Sequence, residues 1–231
     1  MDSFIPKIQF EARFTNLLDF KSIRNKLLAP FVKYVSSFSL SNEGTHSEGI
    51  LLEFENDYFS IDCKWDRLIL VSQYNLDRLG DKNSQISLFF EILKRFQDYE
   101  GFGKMLNYVC QIIRVDVGEE SFENYCTRFR DKYLTETALD ILHGTNDISI
   151  VLDKWDEDEK KIQTKFGPYH PNDINRHNLI PFPMEDDVFK DIRGKNGYIN
   201  IVTLFESRSK IDQNVLKEAI QEIRKIKVKD E

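Results

Sequence analysis

Two groups of side chains in this sequence have the types that metal or proton chemistry requires. The first is the acidic run Asp153, Asp156, Glu157, Asp158 and Glu159, followed by Lys161. Divalent cations are held by two or three carboxylates converging from separate elements. Asp153, Glu159 and Lys161 are ordered like the carboxylate–carboxylate–lysine set of a nuclease. The run nevertheless falls where a hairpin turn is expected, and turn acids face solvent, so a solvated turn is the preferred reading. Glu185-Asp186-Asp187 reads in the same way, as loop or helix-start acids. The second group is His170 and His177, with Asp173 between them. Imidazoles beside an acid can bind zinc or shuttle protons. Here the spacing is not helical, no cysteine lies nearby and no third ligand is identified, which favours surface-loop histidines. His46 and His143, beside Gly44 and Gly144, read as turn residues.

A nucleophile is equally hard to find. The sequence holds no Gly-x-Ser-x-Gly elbow and no glycine-rich phosphate loop after a strand. Cys63 lies on an alternating strand pattern and Cys126 on an apolar helix stripe, with Cys110 in similar surroundings, so all three read as reduced, buried core thiols. No catalytic residue, metal ligand or cofactor is assigned.

Side chains suited to contacting a partner are easier to name. Trp65 and Trp155 are the only tryptophans, and each sits in a Lys-Trp-Asp triplet at the end of a strand-like run: Tyr58-Phe-Ser-Ile-Asp-Cys-Lys-Trp-Asp and Asp147-Ile-Ser-Ile-Val-Leu-Asp-Lys-Trp-Asp. Tryptophan covers a core edge or, on an exposed sheet face, anchors a partner. The stretch 167–196 holds four of the six prolines: Pro168, Pro171, Pro181 and Pro183. Long irregular insertions tend to be functional or disordered, and Tyr169, Phe182, Met184 and Phe189 give this one more apolar content than a linker carries. The partner-binding candidates are therefore Tyr169, His170, His177, Phe182, Trp65 and Trp155.

These residues must be positioned by a folded scaffold. The 231 residues are 41% hydrophobic, with 18 Phe and 9 Tyr, ample for one large domain or two small ones. A net charge of −7 weighs against broad phosphate-backbone binding, so nucleic acid is an unlikely partner. No apolar run is long enough to span a bilayer, and Met1-Asp-Ser-Phe-Ile-Pro lacks a signal-peptide pattern. The expectation is a cytoplasmic protein with no membrane association.

Residues 7–14 alternate as a half-buried strand, with Ile8, Phe10, Ala12 and Phe14 on one side. Phe20, Ile23, Leu27, Leu28 and Phe31 recur at helical spacing as far as Pro30. Strand-like runs follow at 37–42, 49–55, 57–65 and 67–73, and then a helix through Ile86, Phe89, Phe90, Leu93 and Phe96. The order then restarts. There is a strand at 105–117, a helix capped by Ser121, strands at 147–155 and 159–166, the proline-rich stretch, a strand at 197–205, and a helix from Ser209 to about Ile226 whose start resembles a capping box with Asp212. This predicts an α+β fold of internally duplicated β-α-β-β-β-α units. Antiparallel sheet or sheets carry the helices on one face. The halves would be 1–103 and 104–231, the second carrying the insertion at 167–196.

The order of elements and the final unit, Gly197-Tyr-Ile-Asn-Ile-Val with 210–226, resemble a sporadically distributed bacterial family of unknown function. The resemblance implies a two-part α+β protein of about this length. Where that family carries an arginine-tyrosine-aspartate/asparagine strand, this chain has Gln111-Ile-Ile-Arg-Val-Asp. It implies no activity and no site residues.

The function expected is that of a non-catalytic binding protein presenting a sheet face and the proline-rich loop to a protein partner, in a bacterial toxin, effector or defence setting. Two alternatives stand beside it: a small apolar-ligand binder with helices over a curved sheet, and a metal-dependent hydrolase or nuclease. Edge strands could pair two chains into a homodimer, against which the charges on 7–14 and 158–161 weigh.

Overall fold

The alternation at residues 7–14 builds the centre of the molecule. In the computed structural model, which describes residues 2–45, 47–54, 59–72, 85–141, 147–156, 159–176 and 194–226, that segment belongs to β1 (Asp2–Phe14). It leads into α1 (Phe20–Leu28) and a 3-10 helix (Ala29–Tyr34). Then come β2 (Ser37–Ser41), β3 (Gly49–Phe54), β4 (Phe59–Lys64), β5 (Arg67–Ser72) and α2 (Gln85–Gln97). The second half comprises β6 (Met105–Gly118), α3 (Phe122–Tyr133), α4 (Glu136–Ile141), β7 (Ile150–Asp156), β8 (Lys160–Tyr169), α5 (Pro171–Arg176), β9 (Asn196–Ser207) and α6 (Gln213–Lys225).

All nine strands join one sheet in the order β2-β3-β4-β5-β1-β6-β9-β8-β7, and every pairing is antiparallel. The fold is α+β, as the patterning predicted. Each half sets its first strand at the centre, its last strand next to it, and the remainder outward. The halves meet where β1 pairs with β6, for example Phe10 with Cys110.

Strand register assigns the two faces. Ile8, Phe10 and Ala12 lie opposite Ile112, Cys110 and Tyr108, and this face continues through Val202 and Leu204 to Thr164 and Ile162. The apolar stripes of α1, α2 and α6 bury against it in one core. Phe10 stacks on Tyr108 at 5.5 Å and meets Phe89 of α2 edge-on at 5.9 Å. α3 covers the same face further along, with Phe129 against Phe166 at 5.6 Å and Tyr125 against Tyr198 at 5.2 Å. These four helices therefore share one side. Antiparallel sheets tolerate this because alternate residues can be polar and face water on the other.

Several details depart from the sequence reading. β1 starts at Asp2 and accommodates Pro6 by a register shift against β6 between Phe4 and Lys7, a bulge at which the missing N–H breaks no ladder bond. α6 is capped by Asp212 alone, whose Oδ1 accepts from the backbone N–H groups of Asn214 at 2.9 Å and Val215 at 3.2 Å; Ser209 lies before the helix. Part of the expected irregular stretch is regular: β8 runs to Tyr169, α5 follows and β9 begins at Asn196, while 177–193 lies outside the described residues. The two Lys-Trp-Asp triplets are not equivalent. Trp65 sits in the turn between β4 and β5, and Trp155 lies on β7, at the end of the sheet.

Candidate functional site

The sheet face away from the helices carries the odd-numbered side chains of β1. Across the strands, Gln9 faces Gln111, Thr203 and Gln163 in turn, ending at Asp153. One rung over, Glu11 is followed by Val109, Phe205, Lys161 and Trp155. Polar groups on this face satisfy one another laterally. Gln111 donates to Thr203 at 3.1 Å and Gln163 to Asp153 at 2.9 Å. Glu11, 7% exposed, accepts from Gln9 at 2.7 Å and from Arg13 at 2.9 and 2.8 Å, with Arg67 at 3.7 Å. Lys7, on the same strand, has its ammonium pKa lowered by burial, partly offset by Glu11. Here the face is ion-paired, with Glu11 largely buried beneath the two arginines, and further along it Ile113, Val115 and Val117 are buried with Tyr169.

At the β7 corner, by contrast, large side chains stand in solvent. Trp155 is 66% exposed, Leu152 57% and Val151 52%. Lys161 places its ammonium 4.9 Å from the Trp155 ring centroid and reaches the Asp153 carboxylate at 2.9 Å. Those hydrogen bonds, from Lys161 first and then Gln163, hold the Asp153 carboxyl below the usual range. On the helix side, a groove of about 590 Å³ opens between this corner and the end of α6, lined by Leu152, Lys154, Ile162, Thr164, Glu222 and Ile226.

No protein-family model and no curated protein matches this chain.

The residues singled out from the sequence do not converge. Trp65 is half-buried against the core, and its carbonyl accepts from the Leu17 N–H at 2.7 Å; four strands (β1, β6, β9 and β8) separate β5 from β7. Tyr169 is 1% exposed, in a small cluster with Ile113, Val115 and Val117, so it is a core residue and offers nothing to a partner. Its hydroxyl has no hydrogen-bond partner among the described residues, and burial raises its pKa. His170 is exposed but structural: its ring meets Phe122 edge-on at 5.8 Å and its Nδ1 accepts from the Asn172 N–H at 3.2 Å. Its own N–H donates to Asp173 at 3.0 Å. His177, Phe182, His46, His143, Glu157, Asp158 and 185–187 lie outside the described residues. Among the described residues no three His, Cys, Asp or Glu side chains are grouped to hold a metal. Asp153 is engaged by Lys161, and Glu159 occupies the turn with φ of 56°. Cys63, Cys110 and Cys126 are buried, and burial pushes the Cys110 thiol up to about 12 and that of Cys126 up to about 11.

One polar network went unnoticed in the sequence. The Tyr108 hydroxyl donates to Glu206 at 2.6 Å across the β6–β9 ladder, Arg208 also engages Glu206, and Lys160 pairs with Glu222 of α6. Tyr108 and Glu206 thereby tie β6 to β9, while Lys160–Glu222 and Arg208–Glu218 (3.6 Å) fasten α6 to the sheet. The signal available was Tyr108 at a core position of an alternating strand, since a buried tyrosine needs a partner for its hydroxyl.

Proposed function

We propose that this protein is a non-catalytic binding protein whose contact surface is the β7 corner of the sheet face away from α1, α2, α3 and α6, centred on Trp155 and directed at a protein partner. What carries this reading is the exposure of Trp155, 66%, beside Val151, on a face whose other side chains are either paired with one another or buried in the cluster of Ile113, Val115, Val117 and Tyr169. A large aromatic left in water with a cation over its ring is the type of side chain that anchors interfaces. The ion pairs of Lys161 and Asp153 would form its polar rim.

The test compares the parent with Trp155→Ala in purification from the native host, followed by affinity measurement on whatever binds the parent. Truncating a central interface tryptophan costs about 2 kcal/mol or more, roughly thirtyfold in affinity. If the alanine variant keeps every partner at parental affinity, the corner is not the contact surface. The groove beside α6 supports a second reading, binding of a small apolar ligand over Leu152, Ile162 and Ile226. Thermal-shift screening with lipids and metabolites checks it, because a specific ligand raises the melting temperature. A flat screen would discard it.

A further inference from the structure

We propose that β7 pairs antiparallel with β7 of a second copy, joining two nine-stranded sheets into one about a two-fold axis at Leu152. This stands independently of the Trp155 reading.

β7 forms one end of the sheet, and among the described residues its only strand partner is β8. Its outer backbone groups form a template for another strand, and natural sheets guard such edges with proline, bulges, brevity or unpaired charge. β7 lacks proline, a bulge and brevity, and its one exposed lysine, Lys154, is drawn along the strand to Asp156. Its register against β8 is unbroken from Ile150 opposite Phe166 to Asp156 opposite Lys160, and it contains no proline. Its charges are already engaged, Asp153 by Lys161 at 2.9 Å and Lys154 by Asp156 at 3.8 Å. The charged segment 7–14, whose charges would weigh against edge pairing, lies at the sheet centre, and Lys160 and Lys161 belong to β8.

The sequence of β7 selects the occupant and the register. Antiparallel pairing about a two-fold perpendicular to the sheet keeps both sets of helices on one side. An axis at Asp153 would set two carboxylates opposite each other, and one at Lys154 two ammonium groups; like charges directly opposed destabilise a ladder. Axes at Leu152 and Val151 oppose no like charges, and the Leu152 axis keeps residues 150–154 of β7 in the ladder where the Val151 axis keeps only 150–152. Leu152 then meets the partner's Leu152, Ile150 the partner's Lys154, Val151 the partner's Asp153, and Ser149 the partner's Trp155. The exposed Leu152 and Val151 leave water in this arrangement. The contact uses the same patch on both copies and so closes at two. The opposite edge, β2, is shorter, five residues against seven. Pairing β2 with β7 would instead propagate an open chain of sheets.

Light scattering coupled to size-exclusion chromatography, run on the purified chain at increasing concentration, is expected to give twice the chain mass. Leu152→Asp places two carboxylates at the axis and should weaken the dimer by roughly tenfold; an unchanged melting temperature of the dilute monomer will show that the fold persists. Leu152→Cys should give an interchain disulfide on mild oxidation, because directly opposed antiparallel residues lie about 4.5–5.5 Å apart between Cα atoms. The native thiols are buried and will not compete. A parent chain that stays monomeric at every concentration overturns the proposal. So does a dimer that Leu152→Asp leaves intact, or a Leu152→Cys dimer that does not cross-link.

Discussion

Removing a single hydroxyl should measure a side-chain tie between β6 and β9 on the helix-covered face. Tyr108→Phe keeps the ring stacked on Phe10 at 5.5 Å and deletes only the 2.6 Å bond to Glu206. A hydrogen bond to a charged group is worth about 1.5–3 kcal/mol. Arg208 still engages the carboxylate in the variant, which argues for the lower half, about 1.5–2 kcal/mol. In a chain of this size each kcal/mol moves Tm by about 2–4 °C, so a fall of roughly 3–8 °C is expected. The pH dependence sharpens the test. Burial alone would raise the Glu206 carboxyl, but bonds from Tyr108 and Arg208, with Lys160 nearby, outweigh it and hold its pKa below the usual range. A depressed folded-state pKa gives stability that is present above the unfolded value and lost as pH falls through the folded one. The gap between parent and Tyr108→Phe should therefore be full at neutral pH and shrink on acidification below the ordinary glutamate range. Urea denaturation at several pH values reads it. A variant as stable as the parent at neutral pH, or a gap that widens in acid, would refute the reasoning.

Three further outcomes follow from packing. A Cβ at Gly197 would lie 2.0 Å from the Asp116 carbonyl oxygen across the β6–β9 ladder, so Gly197→Ala should cost about 1–3 kcal/mol by chemical denaturation. Phe129→Ala, which removes the ring that docks α3 on Phe166 and Tyr198, should cost about 3–5 kcal/mol, visible as a lower urea midpoint at unchanged slope. Cys63, Cys110 and Cys126 should resist a thiol reagent in the native protein and react together on unfolding; rapid native labelling of any one would contradict its burial.

Local periodicity carried most of the architecture. Ile8, Phe10, Ala12 and Phe14 all face the core, as does the stripe Ile86, Phe89, Leu93 and Phe96, because side-chain direction follows directly from a period of two or 3.6. The Ser121 cap is also present, its Oγ accepting from the Asn124 N–H at 3.2 Å, since that geometry involves only neighbours. What escaped depends on which strand lands where. β7 reads as an ordinary strand, yet its last six residues are all exposed, because its place at the sheet end comes from pairing and not from composition. Tyr169 reads from the sequence as part of a proline-rich contact loop, but β8 extends through Pro168 to bury it beside Val117. The Lys-Trp-Asp triplets matched as text while their strands took different ranks in the sheet. Placement of the site was therefore the less legible part: of the six candidates, only Trp155 and His170 are exposed among the described residues, and His170 is held in its own turn.

The pairing of β1 with β6 has a consequence for how the protein is made. Ile8 must wait for Ile112, so the ribosome releases a complete N-terminal half whose innermost strand still lacks its neighbour. Until residues 105–118 emerge, that strand's unmatched side lies open to any passing polypeptide. A nascent chain stalled near residue 103 should therefore recruit chaperones and aggregate, whereas a few dozen codons later the vulnerable seam is sealed by the protein's own second half.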